Sequence, residues 1–170
     1  MVRPSPQHLS RGKVALSTSS TDRPARVAVM AAAPVNPAPD TWLDAIDAIT
    51  GPLQPAAVQT LVSLRLAKPQ QERVATLLRR LGRLASLADR QRTLAYSGIP
   101  AGRFTPNGVE FDFLLGQLGT DQPFTQRSNA AKALAVARLT ESQLSRLAKQ
   151  LGSLGAAEAT ALLPAFGGGR

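Results

Sequence analysis

The chain has 170 residues, of which 44% are hydrophobic and 4% aromatic, and its formal net charge is +9. This length suits one domain or part of a larger protein, with a core made mostly of leucine, alanine and valine. The absence of cysteine excludes disulfide bonds, cysteine-ligated metals and a cysteine nucleophile. No stretch approaches the length of a membrane-spanning apolar helix.

Residues 1–39 differ in composition from the rest of the chain. They hold six prolines, a polar run at 17–21 and a single acidic residue, Asp22. Proline at this density blocks regular helix. Three interpretations fit: a cleaved targeting peptide, a disordered tail, or a degenerate first repeat with one helix at 26–33. We favour the tail or the degenerate repeat, because the apolar run at 27–33 is short for a secretory signal.

A helical domain is predicted over residues 40–166, followed by a glycine-rich end at 167–170. Asp40 suits the N-cap of a first helix that stops at Gly51-Pro52, because its carboxylate accepts hydrogen bonds from free backbone amides. Apolar periodicity predicts a second helix over 55–66 and a third from 69 to about 81 or beyond. Gly82 either caps the third helix or only interrupts it before 84–95, and a loop follows at 97–108.

The second half of the domain gives four more predicted helices. Ser128 is the expected N-cap of a helix that is apolar on nearly all sides, which predicts burial between layers. Thr140 and Gln143 have the spacing of a capping box at the start of the next helix. The four predicted ranges are 109–118, 129–139, 141–151 and 157–166.

The sequence Leu-x-x-Leu-Gly occurs three times, at 78–82, 115–119 and 151–155, with spacings of 37 and 36 residues. Each copy falls where an apolar helical pattern stops at a glycine, and we expect that glycine to adopt the left-handed conformation that ends helices. Helices that end alike at a fixed period are typical of a stacked repeat array.

Alignment of the chain on itself at an offset of 73 residues supports the repeat. Chance agreement between two helices rich in leucine, alanine and arginine remains the alternative. The matched pairs include Ala57 with Ala130, Leu61 with Leu134, Gln70 with Gln143, Arg73 with Arg146, and Leu78 with Leu151. The predicted fold is therefore all-α, a HEAT- or armadillo-like α-α superhelix of about three helical-hairpin repeats.

The segment 127–166, RSNAAKALAVARLTESQLSRLAKQLGSLGAAEATALLPAF, resembles a HEAT-like helical segment of large multidomain proteins. These belong to the membrane-bound dehydrogenase and haem-binding-domain family of planctomycete-type bacteria. In that family such a segment links a β-propeller, similar to sugar dehydrogenases, to a C-terminal cytochrome c domain. The resemblance extends weakly back to Asp40. It implies a fragment of such a protein, located in the bacterial periplasm or cell envelope. Because the chain has no Cys-x-x-Cys-His and its one histidine is His8, no haem or quinone function follows.

A basic cluster within residues 65–92 is the one constellation with functional content. Eight cations stand there against Glu72 and Asp89. Such a cluster can bind phosphates, with a steep dependence on salt. We favour a solvated outer helix face instead, because aromatic stacking partners are missing. The candidate anion or nucleic-acid contacts are Arg73, Arg79, Arg80, Arg83, Arg90 and Arg92.

No residue set is typical of a catalytic, cofactor or metal site. One histidine without cysteine cannot form the usual zinc site, and Glu110 and Asp112 are two residues apart, so they point different ways on a helix. The sequence therefore predicts a non-enzymatic scaffold, interaction or spacer module that binds a protein partner or adjoining domains. The alternative is a basic α-helical nucleic-acid-binding protein that uses the arginines of 65–92.

Overall fold

The structure is a computed structural model, and it describes residues 38–167. All regular structure in this range is helical, which confirms the all-α prediction for the described residues. The interpretations of the proline-rich start lie almost wholly outside this range. The eight α-helices are α1 (Asp40–Asp47), α2 (Gln54–Ser63), α3 (Gln70–Gly82), α4 (Asp89–Ser97), α5 (Gly108–Gly116), α6 (Phe124–Val136), α7 (Glu141–Gln150) and α8 (Ala156–Phe166).

Helices two positions apart along the chain lie side by side. In one row α2 packs against α4, α4 against α6, and α6 against α8. In the other row α1 packs against α3, and ion pairs join α3 to α5 and α5 to α7. We call α1, α3, α5 and α7 the first row, and the other four helices the second row. None of the described helices is both long and apolar enough to cross a membrane.

Apolar side chains fill the space between the two rows as one connected core. The predicted apolar helix lies inside it as α6, with α4 on one side and α8 on the other. Ala130, Ala131 and Ala133 of α6 are fully buried. Because alanine is small, the backbones of neighbouring helices can approach closely at these positions.

The three Leu-x-x-Leu-Gly segments lie at the ends of successive first-row helices: the first closes α3, the second runs past the end of α5, and the third directly follows α7. The prediction that their glycines are left-handed is wrong. Within residues 38–167, positive φ occurs only at Gly51 (63°) and Gly102 (73°). Glycine is needed at position 82 for a different reason, because the Tyr96 ring of α4 lies against the backbone of α3 there. A Cβ atom there would lie 2.7 Å from Cζ of Tyr96, whose ring is fully buried.

Two predicted N-caps are also wrong. The cap positions belong to prolines, Pro39 for α1 and Pro123 for α6. Asp40 is the first residue of its helix, and its carboxylate accepts a hydrogen bond of 2.9 Å from Nε2 of Gln70. Ser128 lies inside α6, which starts four residues before it.

Several predicted helix ranges also differ at their ends. The helix predicted at 84–95 starts only at Asp89, because α3 ends at Gly82 and the chain turns before α4. The helix predicted at 55–66 ends at Ser63, since Leu64 is already extended.

The capping box at the start of α7 is confirmed. The backbone amide of Gln143 donates to Oγ1 of Thr140 at 3.3 Å, and the backbone amide of Thr140 donates to Oε1 of Gln143 at 3.0 Å. A second capping box, which the sequence analysis missed, joins Asn107 and Glu110 at the start of α5. Both satisfy amides that the helix itself leaves unpaired.

Residues 73 positions apart make matching contacts. Gln70 donates from Nε2 to the backbone oxygen of Ala38 at 2.6 Å, and Gln143 donates likewise to Pro106 at 3.1 Å. Each glutamine also accepts from the backbone amide three residues before it. The arginine three residues after each one forms an ion pair with the preceding first-row helix. The buried residues of α2 match buried residues of α6 in the same way: Ala57 with Ala130, Val58 with Ala131, Thr60 with Ala133, and Leu61 with Leu134.

We predict that Gly82→Ala lowers the free energy of unfolding by about 2 kcal/mol, the usual cost of overpacking a core. The Tyr96 ring cannot move away, because it stacks on Phe104 with ring centroids 5.4 Å apart. Gly116→Ala is the matched control, since nothing lies within 4 Å of its added Cβ. It should raise stability by about 0.5 kcal/mol through helix propensity. Urea unfolding measures both, and a neutral Gly82→Ala would contradict the close approach.

Candidate functional site

The six predicted contact arginines lie on α3, in the turn after it, and on α4. Five of them form ion pairs with carboxylates of the described residues, whereas Arg90 is exposed and forms none with them. Ion pairs within the chain therefore hold most of the arginines of this cluster.

Two of these arginines reach back to α1. Arg73 forms an ion pair with Asp44, and Arg80 forms one with Asp47. Arg80 also donates from Nη2 to the backbone oxygen of Asp47 at 3.0 Å. Both pairs are substantially exposed, so they align α1 on α3 and add little to stability.

Two other arginines reach forward to a buried carboxylate on α5. Nε and Nη2 of Arg79 donate to the two oxygens of Glu110 at 2.8 and 2.6 Å. Nε of Arg83 donates to Oε1 of Glu110 at 2.7 Å, and the backbone amide of Asn107 donates to Oε2 at 2.9 Å. The Glu110 side chain is only 2% exposed, so these four bonds replace its hydration shell.

Opposing effects set the pKa of Glu110. Burial raises it, but the hydrogen bonds from Arg79, Asn107 and Arg83 together lower it below the usual 4.5. The group therefore stays ionised at neutral pH and acts as a fixed negative charge between α3 and α5.

Arg92 of α4 contacts both α3 and α5, near the end of α3. Its Nε donates to the backbone oxygen of Gly82 at 3.0 Å, and its guanidinium carbon lies 3.8 Å from the ring centroid of Phe113 on α5. It also contacts Asp89 in the first turn of its own helix. With a hydrogen bond and a cation–π contact in place, this side chain has a structural role.

A second buried carboxylate, missed by the sequence analysis, lies at the other end of the described chain. Glu158 of α8 is 3% exposed and accepts from Nε of Arg127 at 2.9 Å. The hydrogen bond from Arg127, with a smaller contribution from the Glu158 backbone, lowers the pKa of Glu158. Arg79 with Glu110 and Arg127 with Glu158 are both separated by 31 residues, but neither pairing follows from the local sequence pattern, because it depends on how the helices stack.

An apolar groove lies between α6 and α8. It holds a small cavity of about 30 Å³, and Phe124 at its rim is 62% exposed. Leu163, farther along α8, is 60% exposed. The groove offers apolar contact and little polar chemistry. Its lining residues are Phe124, Ser128, Ala131, Ala157, Glu158 and Ala161.

Within residues 38–167 no three His, Cys, Asp or Glu side chains are grouped so that they could hold a metal ion. Comparison of the chain with protein-family models, with curated proteins and with solved structures found no match. The candidate contact surfaces of the described residues are therefore the arginine cluster of α3 and α4 and the groove between α6 and α8.

We predict that Glu110→Gln lowers the free energy of unfolding at neutral pH by about 2 kcal/mol, because it removes a buried charge that receives several charged hydrogen bonds. Since folding lowers the pKa of Glu110 below 4.5, this contribution is fully present above that pH. It is lost as the pH falls through the folded-state pKa, so the two stability curves should converge in acid.

Asp112→Asn is the matched control, two residues further along α5. Its ion pair with Arg146 is about half exposed, so stability should change by less than about 0.5 kcal/mol. Urea unfolding at a series of pH values measures all three proteins. A constant gap between wild type and Glu110→Gln down to strongly acidic pH would refute the role of the charge.

Proposed function

We propose that this chain is a non-catalytic helical-repeat protein of HEAT or armadillo type, which acts as a scaffold, interaction or spacer module. In such proteins each helical hairpin packs on its neighbours, and the stacked units present an extended surface. We also propose, from the resemblance of residues 127–166, that the chain corresponds to the HEAT-like segment of the planctomycete-type dehydrogenase and haem-binding-domain family. A protein partner or adjoining domains would then occupy part of the surface.

The matched contacts at an offset of 73 residues carry this proposal. Gln70 and Gln143 each hold the start of a first-row helix and bond to the segment before the preceding first-row helix. Arg73 and Arg146 each form an ion pair with that preceding helix. Chance similarity of composition gives no reason for four side chains to make paired contacts, whereas repetition of one structural unit does.

The buried titratable groups support a non-catalytic role. A general acid or base works best with a pKa near the operating pH. The pKa of Glu110 lies below its usual value, and burial raises the pKa of Tyr96 to about 12. Both groups therefore keep one protonation state near neutral pH, and both are packed against arginine or aromatic side chains.

The first test compares Gln70→Ala with Gln143→Ala. Gln70→Ala should lower the free energy of unfolding by about 1 kcal/mol, since it leaves a buried carbonyl without a partner. Gln143→Ala should lower it by about half as much, because water can reach its more exposed partners. The double variant should show the sum, because the two sites share no contact. Ser142→Ala, an exposed neighbour of Gln143, is the control. If Gln143→Ala is neutral while Gln70→Ala is not, the two units are not equivalent.

The second test concerns nucleic-acid binding, which the engaged arginines support less. A protein that neutralises several phosphates loses affinity steeply with salt. We expect a random-sequence duplex titrated at about 50 and 200 mM salt to show no binding tight enough to reveal such a slope. Fluorescence anisotropy measures it. Tight, salt-dependent binding that is weakened by Arg90→Ala would favour the nucleic-acid alternative.

A further inference from the structure

One pair of residues at the start of α5 is chemically labile. Asparagine is a thermolabile residue, because the backbone nitrogen of the next residue can attack its side chain. Glycine in the next position hinders this attack least, since it has no Cβ. Of the three asparagines of the chain, Asn107 alone precedes a glycine, Gly108. Asn36 precedes a proline, which has no backbone N–H, and Asn129 lies inside α6 before Ala130.

The reaction of such a pair needs no reagent except water. The Gly108 nitrogen forms a bond to Cγ of Asn107, the bond from Cγ to the side-chain nitrogen breaks, and that nitrogen leaves as ammonia with the proton of the Gly108 amide. Water then opens the resulting succinimide ring. Attack at the backbone carbonyl carbon gives isoaspartate, and attack at Cγ gives aspartate. Nothing is oxidised or reduced.

The structure leaves the attacking nitrogen free. Gly108 is the first residue of α5, and a helix offers no hydrogen-bond acceptor to the amides of its first turn. Within residues 38–167 the Gly108 amide donates to no other acceptor either. Asn107 and Gly108 are exposed, and nothing lies within 4 Å of a Cβ placed at Gly108. By contrast, Ala130 is fully buried inside α6, where its amide bonds to the preceding turn.

The charges around Asn107 favour the reaction, because the attack builds negative charge there and both products carry a new carboxylate. Arg79 and Arg83 contact the single carboxylate of Glu110, so this cluster has one cation in excess. Arg79 also reaches the chain just before Asn107, since its Nη2 donates to the backbone oxygen of Thr105 at 3.0 Å. The positive end of the helix dipole acts in the same direction.

The capping box restrains the reaction without preventing it. Oδ1 of Asn107 accepts from the backbone amide of Glu110 at 2.9 Å, and this bond must open before Cγ can approach the Gly108 nitrogen. From the usual contribution of such a cap, the folded chain should react about fivefold more slowly than the chain unfolded in urea. Asn129 has no such route in the folded chain, because α6 would have to unwind first.

We propose that Asn107 is a site of spontaneous deamidation, and that isoaspartate formed there loosens the start of α5 from α3. In isoaspartate the main chain runs through Cγ, which inserts one additional carbon between residues 107 and 108. The oxygen and the backbone amide of residue 107 that bond to Glu110 then cannot both stay in place. Aspartate, the other product, keeps the normal main chain and still caps the helix. The proposal goes beyond the proposed function and does not depend on it.

The first experiment incubates the full chain under native conditions at mildly alkaline pH and follows each asparagine by peptide mass spectrometry. Deamidation should accumulate at Asn107, about fivefold more slowly than in urea, while Asn129 stays unchanged. Gly108→Ala should lower the rate at Asn107 at least about tenfold, because its Cβ hinders the attacking geometry. Gly116→Ala, at the other end of α5, is the matched control and should leave the rate unchanged. Neither added Cβ meets another atom within 4 Å, so both variants should fold.

The second experiment measures the effect on the fold. Isoaspartyl methyltransferase with labelled S-adenosylmethionine identifies the isoaspartate fraction of aged protein after ion-exchange chromatography. Chains in this fraction should unfold at a lower urea concentration than fresh protein, because the cap and one bond to Glu110 are lost. Asn107→Asp carries the same charge on a normal main chain and should unfold close to fresh protein.

Equally slow deamidation of Asn107 and Asn129 in the folded chain would overturn the proposed site, and so would equal rates in Gly108→Ala and Gly116→Ala. Isoaspartate-bearing chains that unfold at the same urea concentration as fresh protein would overturn the loosening of α5. None of these results bears on the glutamine variants that test the helical-repeat proposal.

Discussion

Contact between helices two positions apart along the chain is the constraint on which the described structure depends. It places α2, α4, α6 and α8 in one row and the intervening helices in the other, with the leucine and alanine core between them. In the first row, arginine–carboxylate pairs set the alignment. The buried Glu110 is the strongest of these links, because one carboxylate accepts from two arginines of α3 and from a backbone amide.

This use of arginine changes how the net charge of +9 should be interpreted. Arg73 and Arg80 bind α1, Arg79 and Arg83 bind α5, and each is thereby held by a carboxylate of this chain. An arginine that is paired with a carboxylate of the same chain is less available to bind a phosphate. Large apolar side chains are exposed at three places in residues 38–167, namely Val109 of α5, Phe124 of α6 and Leu163 of α8.

Local patterns predicted the number and type of most helices. The stripe of α3 and the capping box at Thr140 and Gln143 are local, so they could be read from the sequence. Asp40 and Ser128 were misassigned because a proline next to each helix start took the cap position. The partner of Arg79 lies 31 residues away, and such pairing depends on how helices stack, which local periodicity does not encode.

The most direct test of the stacking order is a map of nuclear Overhauser contacts between methyl groups of the second row. We expect contacts of Val58 on α2 with α4, of Leu134 on α6 with α4, and of Leu162 on α8 with α6. We expect none between Val58 and Leu162, since those helices lie at opposite ends of the row. Contacts between Val58 and Leu162 would show a closed bundle and would contradict the open two-row arrangement.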